Sequence, residues 1–143
     1  MSAQARMREL IQAGGAVPPD ELFPLYDQLE PLSIDEMIGT WKGGKFDGGK
    51  DPDPIKWYGK RFVSADYCEP LLCRREDGSV YAYDNLGAAQ LRLIAWRGVV
   101  TAALIYDKQP IMDYFRKVDD RVIIGLGDVK GRPTDFFFHL TRE

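Results

Sequence analysis

Ile38-Gly39-Thr40-Trp41-Lys42-Gly43-Gly44-Lys45-Phe46 lies between a helical N-terminus and a long run of strand-like sequence. Glycine at Gly39, Gly43 and Gly44 removes Cβ atoms where a strand bends sharply or another backbone comes close, and Trp41 supplies the largest apolar surface available at one position. A first strand of this composition suits a small, strongly curved β-barrel.

Downstream, short runs of β-branched and aromatic residues alternate with turn signals, the pattern of an antiparallel sheet. Residues Phe46 to Pro54, with Gly48-Gly49 and Asp51-Pro52-Asp53-Pro54, read as a loop. Strands are expected at Lys60–Ser64, Pro70–Arg74 and Val80–Tyr83, the last two joined through Glu76-Asp77-Gly78-Ser79. Leu91–Trp96 and Val99–Tyr106 form a hairpin across Arg97-Gly98. Ile111–Val118, Arg121–Asp128 and Thr134–Thr141 then close the chain as a three-stranded meander. Ile111, Met112, Phe115 and Val118 also fit a helical period, but the meander that follows favours a strand. With the glycine-tryptophan strand the total is about eight to nine, a number at which a closed barrel holds one small ligand.

Upstream, Met7, Leu10 and Ile11 recur at helical spacing over Ala3–Ala13, and Gly14-Gly15 stops the pattern. Leu22, Phe23, Tyr26 and Leu29 mark a second helix expected to start around Phe23, because Pro24 suits only a first turn. Ser33 with Glu36 is a capping box for one further turn. The expected class is therefore mainly β (α+β): an antiparallel, lipocalin-like β-barrel over residues 37–143 with short helices over 1–36, in one domain of 143 residues. Whether the helices cap a mouth or pack outside stays open.

Composition narrows the function. Lys plus Arg number 19 against 22 Asp plus Glu, a net charge of -3, so no positive field draws the chain to nucleic acid. No apolar run is long enough to span a bilayer as a helix, and the first residues lack a secretory signal, so a cytoplasmic protein is expected. Cys68, Cys73 and the lone His139 are too few for an ordinary structural zinc site, and the cysteines read as reduced thiols. No G-x-S-x-G elbow, phosphate loop or HExxH pair is present. No cofactor is expected on the primary reading.

In combination, Gly39-Thr40-Trp41-Lys42-Gly43-Gly44, Trp57-Tyr58-Gly59-Lys60-Arg61-Phe62, Tyr106-Asp107, Gln109-Pro110-Ile111, Asp113, Phe115-Arg116-Lys117-Val118-Asp119-Asp120 and Phe136-Phe137-Phe138 resemble the bacterial proteins named after their GXWXG motif, whose second half is a companion domain of unknown function. The resemblance runs from about Ser33 to the C-terminus and implies one unit without an established activity, from which no catalytic residue carries over. The chain is more distantly similar to lipocalin-like barrels, which implies a basic side chain, here Arg142, stacked over Trp41. Nitrobindin-like barrels share a related first strand and hold haem through a late histidine, which would be His139. Here Lys45-Phe46-Asp47-Gly48-Gly49 stands where that family carries its glycine run.

Gly39, Trp41, Gly43 and Arg142 are thus read as a structural motif. His139 alternates with Phe138 and Leu140, so it faces water if those two face inward and is a candidate haem ligand if they do not. Asp113 and Asp128 lie in apolar runs and need partners if buried, which Arg92, Arg97 or Arg61 could supply; strand-end solvation is the plainer alternative. With Tyr58, Arg61, Tyr106 and Gln109 they make the candidate polar groups that orient a ligand in an apolar pocket. The function expected is binding of a small hydrophobic or amphipathic molecule, lipid-like or aromatic, in the barrel. Alternatives are a haem or gas-sensing barrel using His139 and a small isomerase- or cyclase-type enzyme working through Asp113, Tyr114 or Lys117. Exposed strand edges or the first helix also leave a homodimer open.

Overall fold

The computed structural model describes residues 1–143. Ser2 caps α1 (Ala3–Ala13) by accepting from the Ala5 N–H, and Gly14 ends it in the left-handed conformation with its N–H on the Leu10 carbonyl. Helix α2 spans Pro19–Tyr26, one turn earlier than the sequence suggested. Pro19 takes the first-turn place and Pro24 sits inside the helix; the carbonyl that Pro24 cannot reach belongs to exposed Asp20, where water is available. Helix α3 (Ile34–Met37) is the expected capping box, Ser33 Oγ accepting from the Glu36 N–H and the Glu36 carboxylate from the Ser33 N–H.

Nine strands follow: β1 (Gly39–Lys45), β2 (Trp57–Ser64), β3 (Tyr67–Arg74), β4 (Val80–Ala82), β5 (Ala89–Trp96), β6 (Val99–Tyr106), β7 (Ile111–Lys117), β8 (Val122–Val129) and β9 (Phe136–Arg142). They run in the order β2-β1-β9-β8-β7-β6-β5-β3, and a β2–β3 pairing closes the ring into an eight-stranded antiparallel barrel, with β4 attached to β3 as a ninth strand. The segment that also fitted a helix is β7, paired along its length with β8 and over Asp113–Tyr114 and Met112 with β6. Arg97 and Gly98 both have positive φ, 49° and 88°, the type I′ geometry that joins β5 to β6.

Strands β2, β3 and β5 begin two or three residues before the expected starts at Lys60, Pro70 and Leu91. Pro70, the expected start of its strand, falls inside β3 where the partner changes. Cys68 bridges Ala89 of β5, whereas Leu72, Cys73 and Arg74 pair with β4. The missing donor sits at that fork, where no ladder bond is lost.

The apolar residues form two cores. Trp41, Phe62, Leu91, Leu104, Phe115, Phe138 and Leu140 fill the barrel. Helices α1 and α2 pack outside instead of capping a mouth, with Met7, Leu22 and Tyr26 against Ile124, Leu126 and Phe137. One end of the barrel is plugged by Trp41, whose Nε1 donates to the Met37 carbonyl at 2.8 Å. The Arg142 guanidinium lies 4.2 Å over the Trp41 ring and donates to the Ile38 and Glu36 carbonyls at 2.8 and 2.5 Å. Two glycines make room for this arrangement: Gly39, at φ 137°, lies against the Arg142 guanidinium, and a Cβ at Gly43 would overlap the Trp57 indole. No helix is long and apolar enough to cross a membrane.

Candidate functional site

Away from the Trp41 plug, where β1 ends at Lys45 and β9 begins at Phe136, the interior is not filled. A cavity of about 260 Å³ opens there, with Trp57, Leu71, Ile111, Val129 and Phe138 among its apolar walls. Irregularity in β2 shapes it. The register against β3 shifts between Trp57 and Gly59 and again between Gly59 and Arg61, so Trp57 and Lys60 both reach the cavity although strict alternation would put them on opposite faces.

Lys60 is 3% exposed and carries a charge into this apolar space. Its Nζ donates to the Pro70 carbonyl and to the Tyr106 hydroxyl, both at 3.1 Å, and lies 3.3 Å from Asp113 Oδ2. The rings of Phe138, Tyr106 and Trp57 surround the ammonium at 5.2 to 5.6 Å. Desolvation opposes charge on Lys60, but Tyr106 and Asp113 outweigh it and hold its pKa above the ordinary lysine value. Burial pushes the Asp113 carboxyl above the usual carboxylate range against the pull of Lys60, and likewise raises the Tyr106 phenol. Lys60 is therefore held as an ammonium, with Asp113 and Tyr106 as its two side-chain partners.

The cluster has unused capacity. Asp113 Oδ2 is buried and accepts no hydrogen bond of good geometry, and Tyr106, which accepts from Lys60, has no protein acceptor for its own proton. The cavity floor thus offers one donor and one acceptor, backed by a cation and enclosed by aromatic and aliphatic walls.

Of the residues expected to orient a ligand, Tyr106 and Asp113 line this cavity. The remaining four lie elsewhere. Tyr58 lies beneath the Arg74 guanidinium at 4.6 Å, turned away by the irregularity in β2 that brings Trp57 inward. Arg61 donates to Glu69 at 2.6 Å and to Thr40 Oγ1 at 3.2 Å. Gln109 and Asp128 border a separate surface groove with Met112 and Lys130, and Asp128 accepts from the Tyr114 hydroxyl at 2.6 Å and Thr134 at 3.1 Å. The partner of Asp113 is Lys60 and none of the three arginines expected: Arg92 pairs with Asp66, Arg97 with Asp27 and Arg61 with Glu69.

His139 follows neither sequence alternative in full. Phe138 and Leu140 do face the barrel interior, so His139 points outward, but it meets Phe46 instead of water, the two rings 5.1 Å apart and edge-on. It does not line the cavity. Its Nδ1 is buried without a partner, and burial, opposed by the neighbouring Lys45 backbone, holds its pKa down to about 4. The two cysteines are free and buried, and no group of three or more His, Cys, Asp or Glu is placed to hold a metal ion.

Fold and site together define a small closed β-barrel with an apolar cavity and a charged floor. The sequence profile described as "GXWXG protein" matches residues 24–78, and that described as "Domain of unknown function (DUF4334)" matches residues 87–142. The chain belongs to this GXWXG family with its companion domain. The crystal structure of a protein from Thermomonospora curvata is 49% identical in sequence and superposes with a TM-score of 0.93, the match covering 100% of this chain and 99% of that one. Among curated proteins none matches.

Proposed function

We propose that the barrel binds a small amphipathic molecule, its apolar or aromatic body against Trp57, Phe138 and Val129 and its hydrogen-bonding head on Tyr106 and Asp113. The observation that carries this reading is the polar cluster within the cavity. A cavity with apolar walls and a few convergent polar groups is the usual form of a small-ligand site. The Lys60–Asp113 pair is nearly neutral as a unit, so it favours a head that donates and accepts hydrogen bonds over a full anion. The volume limits the body to about one ring or a short chain.

Native mass spectrometry of freshly purified protein, with release and identification of any bound molecule, tests the reading directly. Ligand-observed NMR with phenol, cyclohexanone and hexanoate tests it for protein that purifies empty. Phenol and cyclohexanone are expected to bind, and Val129→Trp, which fills the cavity from its wall, is expected to abolish the signal. An empty spectrum together with no NMR signal from any of the three probes would overturn the proposal.

A further inference from the structure

The floor of the cavity holds more than binding requires. A carboxylate and a phenol both touch one buried ammonium, at 3.3 and 3.1 Å, and each keeps hydrogen-bonding capacity free. Burying this cluster costs desolvation of two charges, and an apolar floor would hold an apolar ligand without it. Its parts match the needs of one reaction class. Removing a proton from the carbon next to a carbonyl requires a base beside that carbon and a preorganised donor at the oxygen where negative charge develops. Asp113 has the chemistry of the first. Tyr106 has that of the second, and its O–H is the stronger donor because Lys60 donates to the same oxygen.

Resting on the binding reading above, we infer that the cavity catalyses proton transfer next to the carbonyl of a small apolar ketone or aldehyde, with Asp113 as base and Tyr106 as oxyanion donor. The C–H bond breaks, its proton passes to an Asp113 carboxylate oxygen, and its electron pair forms the enolate C=C bond as the carbonyl π pair moves to oxygen. The enolate oxygen accepts from Tyr106, with the Lys60 charge behind it. The proton on Asp113 exchanges with solvent through the open end of the cavity, and Asp113 then delivers a solvent-derived proton to the same carbon, or to a conjugated one where the substrate carries an adjacent double bond, which moves that bond. Nothing is oxidised or reduced, and no co-reactant is consumed. Lys60 acts here as a positioning residue: it donates to Pro70 and Tyr106 and forms an ion pair with Asp113.

The test is deuterium incorporation into cyclohexanone, acetophenone and phenylacetone in heavy water, followed by NMR alongside binding of the same compounds. Wild-type protein is expected to accelerate exchange of at least one compound by about 10²-fold or more over buffer at the same pH. Asp113→Asn, which keeps the shape, is expected to bring exchange back to the buffer rate, and Tyr106→Phe to slow it by about 10²-fold while the compound still binds. Asp113→Glu should restore part of the rate. Thermal melts establish that the variants fold, and wild-type protein with Val129→Trp as the blocked control decides the matter if Asp113→Asn does not. Binding without exchange above buffer overturns the catalytic inference and leaves the binding reading standing. No binding of any of the three overturns the catalytic inference, and joined to an empty native spectrum and no signal from phenol or hexanoate it overturns both.

Discussion

Arg116 and Lys60 are both buried cations, one on the outer face of the barrel at β7 and one on the inner face at β2, and they are buried in opposite ways. Arg116, fully buried on the outer face, donates to the carbonyls of Tyr26, Asp27 and Leu29 at 3.1 to 3.4 Å and to that of Trp96 at 3.4 Å. Its guanidinium also stacks 4.7 Å over the Tyr26 ring. These carbonyls include the end of α2, where a cation is favoured. Every hydrogen-bond acceptor of Arg116 is a backbone carbonyl, and Arg116 does not line the cavity that holds Lys60. Lys60 instead shares its protons with two side chains that retain capacity toward an open cavity. A buried charge surrounded by backbone carbonyls is a clamp; one whose partners are themselves incompletely satisfied, next to empty space, has the form of a site.

The largest expected effect lies on the outer side. Arg116→Ala takes the guanidinium away from four carbonyls, of which only that of Tyr26 keeps a donor in the Leu29 N–H outside the regular elements, and leaves a void under Tyr26, so we expect a loss of about 4 kcal/mol in urea unfolding. Probe binding in the cavity should be unchanged at temperatures where the variant is folded. A variant that lost binding while staying folded would erase the distinction between clamp and site.

Lys60→Met should cost about 3 kcal/mol, because it strands Asp113 in an apolar space, and it should also abolish binding of a hydrogen-bonding probe. The sharper measurement is the double variant Lys60→Met with Asp113→Leu. Replacing both members of a buried pair by apolar residues is expected to recover most of the lost stability without recovering binding. If the double variant were as unstable as the single one, the pair would be a structural clamp like Arg116.

How much of this was legible in the sequence follows the regularity of the backbone. Strands β6 to β9 are strand-length, largely apolar runs bounded by clear turn signals, and they lie within a residue or two of where the pattern put them. The Trp41–Arg142 stack could be expected too, since a resemblance to barrels with the same first-strand motif implied it. The cavity could not be read as directly, because its shape depends on the shifted register of β2. Strict alternation from Phe62 places Lys60 inward, and that parity was the available signal for Lys60. The same alternation carried back to Tyr58 fails, since the irregularity intervenes and Trp57 takes the inward place. Asp113 was legible as an acid that would need a partner if buried, but the partner was not legible: the arginines considered all had exposed or half-buried carboxylates closer to hand. The helices packed outside for a reason visible only in three dimensions, the second apolar face of β8 and β9 formed by Ile124, Leu126 and Phe137.

That outer face supplies the next prediction, a smaller one. His139 is held neutral under Phe46 with its pKa depressed to about 4, against about 6.5 in an unfolded chain. The depressed value means the folded state resists protonation, so the contribution is complete above pH 6.5 and is lost as pH falls from there toward 4. By pH 5 the loss is about 2 kcal/mol. Unfolding measured between pH 7 and pH 5 should show this slope in wild-type protein and a flatter one in His139→Phe. Because His139 lies outside the cavity, probe binding at pH 7 should not change in that variant.

The smallest effect belongs to the plugged end of the barrel. Arg142→Ala removes the guanidinium from the Trp41 face and two hydrogen bonds to the Glu36 and Ile38 carbonyls. Those carbonyls are only partly buried and can take water, so the cost is set mainly by the stack and comes to about 1.5 kcal/mol. Arg142→Lys should recover less than half, since an ammonium lacks the flat face and the fork that bridges two carbonyls. Combined with Asp113→Asn, whose site is at the other end of the barrel, the stability change should add to within about 0.5 kcal/mol. A larger coupling would mean that the plug and the cavity move together, so that ligand binding at one end is felt by α3 at the other. Additivity would mean that the GXWXG motif closes the barrel while the cavity residues act without it.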